Sequence, residues 1–220
     1  MCRLLAVCSQ QPFDVRQYIE PFAEIARTST EYQGHGWGCG WMTSKGWNLY
    51  HDINPVWEDP SVPCARTRVL VVHARSAFQD EGIEVGNNMP FTDGRSVFLF
   101  NGELRGVKIK EEGRIGAEKV FNFIRRFDKG DMQEAMERGI RIVERRTRYM
   151  RAMNIIIADA EAIRVTNRFN DSPDYFQMYI SVTSERIVIC SEPLPQNLLD
   201  ISGILEWDPV AVNTVHTFLT

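Results

Sequence analysis

The chain has 220 residues, 44% hydrophobic and 25% charged, with a formal net charge of −4. That size can bury a substantial core as one domain spanning 1–220, and the mild acidity argues against nucleic acid as a partner, because such binding draws on many Lys and Arg contacts to phosphate. No apolar run approaches the roughly 20 residues that cross a bilayer and no signal-peptide pattern opens the chain, so no membrane partner is expected and the expected location is cytoplasmic.

In chain order, Arg3 to Ser9 is short and apolar and reads as a buried strand, with Cys2 at its leading end. Asp14 is placed to cap a short helix carrying Val15, Tyr18 and Ile19, which Pro21 should kink or end before a second helical piece over Phe22 to Arg27. From Gly34 to Trp41 glycine alternates with larger residues, a strand-like period in which missing side chains let another element come close. Ser44-Lys45-Gly46 has turn chemistry, so residues 36–51 form a hairpin. Arg68 to His73 and Ser96 to Phe100 are β-branched, aromatic and apolar, as central strands are, and the stretch between them, Phe78 to Gly94, is polar and turn-rich.

Two amphipathic helices follow. Ile115 to Phe127 lines up Ala117, Val120, Phe121, Ile124 and Phe127, and Asp131 to Glu144 lines up Met132, Ala135, Met136, Ile140 and Val143, with a break at Lys129-Gly130. Arg145, Arg146, Arg148 and Arg151 read as a solvated helix end. Strands return over Asn154–Ala158, Ala162–Asn167, Phe176–Val182, Ile187–Cys190 and Val210–Phe218. Strands, then two helices, then strands describe an α+β architecture of two mostly antiparallel sheets face to face with helices outside, rather than a regular βαβ alternation.

The five cysteines are an odd number spread along a long chain, so free thiols are expected rather than a disulfide framework. Neither Cys-x-x-Cys nor His-x-x-x-His occurs and the four histidines are scattered, so no metal and no cofactor is expected. The cysteine that carries chemical information is Cys2. A small residue in second place usually lets the initiator methionine be trimmed, which would leave Cys2 with a free α-amine beside its own thiol. A thiolate is the competent nucleophile and needs a base. An N-terminal amine, with an ordinary pKa of about 7.7 to 8.0, titrates in the range to supply one. A cysteine also falls second in many chains without any such role.

Four segments in order, Met1-Cys2-Arg3-Leu4-Leu5, Gly36-Trp37-Gly38-Cys39-Gly40-Trp41, His73-Ala74-Arg75-Ser76-Ala77 and Phe100-Asn101-Gly102-Glu103-Leu104, resemble class II glutamine amidotransferases of the N-terminal nucleophile hydrolase superfamily. A fifth, Ser191-Glu192-Pro193-Leu194, resembles a segment near the end of that domain. The resemblance spans most of the chain and is strongest to the small amidotransferase-like proteins to which no acceptor domain is fused. It implies a four-layer α/β/β/α sandwich. It also implies attack by Cys2 on a side-chain amide carbonyl through a thioester, with Asn101 and the Gly102 N–H forming the oxyanion hole and Arg75 gripping the substrate α-carboxylate. Gly36, Trp37 and Gly38 are candidate substrate-binding positions. The implied partner is a small-molecule amide, with a separate ammonia-accepting enzyme as a further option. Taken without the resemblance, Asn101-Gly102 is a turn signal, Arg75 an ion-pairing arginine and the glycine segment a site of close sheet packing.

Departures from the family pattern bear on the substrate. Phe78 stands where a threonine is usual, Met89 and Phe100 stand where histidines are usual, and Gly116 occupies the place of the aspartate that pairs with the substrate α-ammonium. A buried ammonium without a counter-ion costs several kcal/mol, so free glutamine is expected to be a poor substrate unless Glu111, Glu112 or Glu118 substitutes. The reading from a different class is a non-catalytic binding protein on the same fold.

Overall fold

The computed structural model describes residues 1–201 and 203–220. The strands are β1 (Arg3–Asp14), β2 (Trp37–Thr43), β3 (Gly46–Asp52), β4 (Arg66–Ala74), β5 (Phe91–Thr92), β6 (Val97–Arg105), β7 (Tyr149–Ala158), β8 (Ala162–Thr166), β9 (Tyr179–Val182), β10 (Arg186–Cys190), β11 (Asp208–Pro209) and β12 (Val215–Leu219). The helices are α1 (Arg16–Arg27), α2 (Gly116–Arg125), α3 (Met132–Arg145) and the single turn α4 (Pro173–Phe176). One sheet runs β11-β9-β10-β1-β4-β2-β3 and the other β12-β8-β7-β6-β5, every pairing within them antiparallel.

Side-chain alternation builds the layers. In β1, Leu4, Ala6 and Cys8 join Val69 and Val71 of β4 in the core between the sheets. Leu5 and Val7, with Leu70, Val72 and Ala74, pack instead against Tyr18, Ile19, Phe22 and Ile25 of α1. On the second sheet, Phe98 of β6 stacks on Phe121 of α2 with ring centroids 4.9 Å apart, so α2 and α3 cover the outer face. Gly139 lets α3 close on α2, since a Cβ there would lie 2.7 Å from Ile124 Cγ1. Asp131 caps α3 by accepting a 3.0 Å bond from the Glu134 N–H. The result is the four-layer α/β/β/α sandwich.

Some elements differ from expectation. Pro21 does not divide α1, which runs unbroken from Arg16 to Arg27. The proline lies in the second turn and is itself buried with Tyr18, Ile19, Phe22 and Ile25, so apolar packing outweighs one missing N–H. Phe176–Val182 begins as the helical turn α4 before β9, and of the predicted strand Val210–Phe218 the ladder with β8 starts only at Val215, preceded by an isolated bridge from Val212 to Asn167. Asp208 and Pro209 extend the first sheet at the β9 edge. Arg151 belongs to β7 and not to a helix end. Among the described residues, no helix is long and apolar enough to cross a membrane.

Candidate active site

Register brings Cys2 and Arg75 together. Arg3 pairs with Ala74 and Leu4 with His73, so one step further Cys2 stands opposite Arg75. By alternation Cys2 shares the face of Leu4, and Arg75 that of His73, Val71 and Val69, both directed between the sheets. The Cys2 thiol donates to the Ser76 carbonyl at 3.7 Å. Burial pushes its pKa up; the N-terminal ammonium, the Ser76 contact and Arg75 oppose that, and Glu31 adds to it. With Met1 in place the thiol is held protonated.

Arg75 is 5% exposed, and its Nη1 has no hydrogen-bond partner among the described residues. Its main chain is fixed by the bond from its N–H to Gly36 O at 2.9 Å and by the His35 N–H donating to its carbonyl at 3.1 Å. A buried guanidinium with an open donor has the chemistry to bind an anion. Beside it His73 is fully buried, and burial, then Arg75 and His51, push its pKa down to about 3, so it is neutral at physiological pH.

Asn101 comes from the opposite sheet. Phe98 faces α2, so alternation along β6 turns Leu99, Asn101 and Glu103 to the inter-sheet side. The Asn101 side chain is fully buried, yet neither its Nδ2 nor its Oδ1 has a partner among the described residues. The Gly102 N–H is free of β7 as well. Met153, which pairs with Gly102, donates its own N–H to Arg168 O at 2.8 Å on its far side, so Gly102 and Met153 form a non-hydrogen-bonded pair and the Gly102 N–H points to the other edge of β6. A side chain at Gly102 is excluded because its Cβ would lie 2.1 Å from Ala152 O.

The glycine segment divides. Cβ atoms at Gly36 and Gly38 would lie 2.2 Å from Asn88 Nδ2 and 2.5 Å from Met89 O, so these glycines serve close coverage of β2 by the Asn88–Pro90 segment. Trp37 is fully buried on the α1 side, where its Nε1 donates to Asp59 Oδ2 at 2.9 Å, so its side chain takes no part in the group around Cys2. Ser191 and Glu192 brace the start of β1: the Leu4 N–H donates to Ser191 Oγ at 2.9 Å, and Arg3 pairs with Glu192 at 3.0 Å.

Of the departures from the family pattern, Met89 and Phe100 are core residues and Phe78 is exposed. Gly116 is exposed with nothing near its Cβ direction. Glu118 is bound to Arg114 and Glu111 to Arg126, which commits both carboxylates elsewhere.

Sequence reasoning missed Glu31, Gln33, Glu103, Arg151 and Tyr175. The Met1 ammonium pairs with Glu31 Oε2, and the Met1 carbonyl accepts from the Tyr175 hydroxyl and, at 2.6 Å, from Gln33 Nε2. Arg151 reaches Glu31 Oε1 at 3.4 Å and Glu103 at 3.9 Å. Glu31, Gln33 and Tyr175 lie on loops or a single helical turn with no motif, so only the fold reveals their convergence.

No family model and no curated protein matches the chain. Solved structures do. A glutamine aminotransferase class-II domain protein from Silicibacter pomeroyi superposes with TM-score 0.67 at 17% identity, over 98% of this chain and 94% of that one. A predicted glutamine amidotransferase from Pseudomonas aeruginosa gives 0.60 at 14% identity over 99% and 97%. The glutamine phosphoribosylpyrophosphate amidotransferase of B. subtilis gives 0.67 at 11% identity, with 99% of this chain matching 49% of that one. The chain thus spans about half the length of that last enzyme. Together with the two facing antiparallel sheets, these likenesses establish that the chain has the N-terminal nucleophile hydrolase fold in the form found in class II glutamine amidotransferase domains.

Proposed function

We propose that the chain is an amidohydrolase whose nucleophile is Cys2 after loss of Met1. The observation that carries this reading is the pair of buried polar groups without partners among the described residues, the Arg75 Nη1 and the Asn101 carboxamide, turned from two sheets into the gap that Cys2 faces. Unpaired buried polar groups are costly, and two of them on sheet faces turned to the same gap as the thiol fit a ligand that completes them.

In this reading the α-amine of Cys2 takes the thiol proton and the thiolate attacks the side-chain carbonyl of the substrate. The tetrahedral oxyanion accepts from Asn101 Nδ2 and the Gly102 N–H, and one such donor is worth about 2.7 to 4 kcal/mol of transition-state stabilisation. Collapse breaks the C–N bond; the amine returns its proton to the departing nitrogen, and ammonia leaves a thioester. Water then adds to the thioester, giving one proton to the amine, and the thiol leaves as the carboxylic acid forms. Arg75 holds a substrate carboxylate, so the substrate class is a glutamine-like or γ-glutamyl amide. The ammonia goes to solvent or to a separate acceptor enzyme.

Mass spectrometry of the purified protein should find Cys2 at the N-terminus, and Cys2→Ala should abolish ammonia release while leaving the folded state intact. Full activity in protein that retains Met1 would refute the mechanism, because an acylated nitrogen cannot be the base. The protonated thiol of the Met1-bearing chain favours a second reading, a binding protein, for any protein that keeps Met1. Slow alkylation of Cys2 in trimmed protein, at the rate of an unperturbed thiol, would support that reading.

A further inference from the structure

Removing Met1 does more than free an amine. Met1 is held as a ligand is held: its ammonium sits on Glu31 Oε2, and its carbonyl oxygen accepts from Gln33 Nε2 and Tyr175. The other Glu31 oxygen is anchored to Arg151, so the carboxylate keeps its place when the ammonium departs. Gln33 is fully buried, and its Nε2 also donates to the Glu31 carbonyl at 2.7 Å, which ties the Glu31 main chain to the same spot. Gln33 Oε1 is left without a partner among the described residues. The charges of Glu31 and Arg75, one an anion and the other a cation, both act on the Cys2 thiol. That is the charge pair an α-amino acid zwitterion requires. Around the position where the family pattern would put the ammonium partner, Gly116 and Glu112 are exposed and Glu111 and Glu118 are paired with arginines.

We propose that Glu31 is the counter-ion for the α-ammonium of the substrate, which enters the place that the Met1 ammonium occupies before trimming, while Arg75 holds the α-carboxylate. The inference rests on the amidohydrolase reading and narrows its substrate to amides that carry an intact α-amino acid end, such as glutamine and γ-glutamyl amides. Glu31 then does from the loop before β2 what Gly116 cannot do from α2.

The test uses trimmed Cys2→Ala protein, which binds without turnover, titrated calorimetrically with L-glutamine and with glutaramate, the same amide lacking the α-amino group. Glutamine should bind at least about 10-fold more tightly, as expected for one partly buried ion pair worth about 1.4 kcal/mol. Glu31→Gln should bring the two affinities within about 2-fold, while Glu31→Asp should keep part of the preference. Both variants should melt within a few degrees of the parent, because Glu31 is one-third exposed. Equal binding of the two amides by the parent, an undiminished preference in Glu31→Gln, or binding of neither amide would overturn the assignment. The amidohydrolase reading is judged separately on trimmed Cys2 protein. Selective binding with no ammonia release sinks that reading and leaves Glu31 in place, whereas release from both amides at equal kcat/KM does the reverse.

Discussion

Asn101 and Asn154 stand opposite each other in the β6–β7 ladder, both fully buried, and they should answer replacement by alanine in opposite ways. The Asn154 carboxamide is fully used: Nδ2 donates to Phe176 O at 2.7 Å, and Oδ1 accepts from Asn167 Nδ2 at 2.8 Å and from the Arg168 N–H at 2.9 Å. Losing these three bonds at about 1 kcal/mol each predicts that Asn154→Ala is destabilised by about 3 kcal/mol, before the cost of leaving the Asn167 and Arg168 groups unpaired. The Asn101 carboxamide makes no bond among the described residues, so its folded state already bears a desolvation penalty of about 1 to 3 kcal/mol that Asn101→Ala removes. The small cavity left offsets part of that gain, and the net change in stability should lie between zero and about 2 kcal/mol in favour of the variant. Activity should move the other way, with kcat for ammonia release falling about 10²- to 10³-fold on loss of one oxyanion donor. Urea unfolding midpoints and steady-state ammonia release on the same preparations measure both quantities. If Asn101→Ala proves as destabilised as Asn154→Ala, with activity falling only in step with the folded fraction, Asn101 is a structural amide and the oxyanion assignment is wrong.

Gly102→Ala should cost several kcal/mol and yield little folded protein, because its Cβ would lie 2.1 Å from a main-chain oxygen; wild-type thermal stability in this variant would mean that the β6–β7 pairing differs from that described. Stability should also fall on mild acidification. An unfolded-state histidine takes up its proton near pH 6.5, whereas His73 does so only at about 3, so the unfolded chain binds the extra proton throughout that window and stability is lost as pH drops through it. For His73 alone the loss between pH 7 and pH 5 is about 2 kcal/mol, and a His73→Asn variant should show a urea midpoint less sensitive to pH over that range. An unchanged pH dependence in the variant would place the acid sensitivity on other groups, of which half-buried His51, its pKa also pushed down, is the first to examine.

Periodicity made the layers legible before any coordinates. The β-branched runs became β4 and β6, the two amphipathic stretches became α2 and α3, and the order of strands, helices and strands became two facing sheets. What periodicity could not convey was tertiary override. Pro21 reads as a helix breaker, yet lies inside α1 because its ring is part of the buried face. Arg151 reads as the tail of an arginine-rich helix end, but β7 begins at Tyr149 and carries it to Glu31 and Glu103. The glycine alternation was correctly read as room for a neighbour, though the neighbour is the Asn88–Pro90 segment of the chain itself. Glu31, Gln33 and Tyr175 carry no local pattern, and their meeting around Met1 depends on contacts 30, 32 and 174 residues apart.

The same arithmetic explains why the nucleophile in this reading sits at the end of a central strand. Cys2 is two residues from Leu4, and Leu4 is fully buried between the sheets, so packing of Leu4 fixes which way Cys2 points. Inserting or deleting one residue between them would turn the thiol toward α1, away from Arg75 and Asn101, because strand side chains alternate with a period of two. Neighbours on both sides, β10 and β4, hold β1 in register from Cys190 and Ala74 outward, so its first residues have little freedom to shift. A loop could carry a thiol and an amine, but only a strand clamped in this way keeps both within the sub-ångström tolerance that attack on a carbonyl demands. In this reading the amine gains its freedom by the loss of one residue rather than by movement of the strand, so the proposed trimming requires no change in the geometry of the sheets.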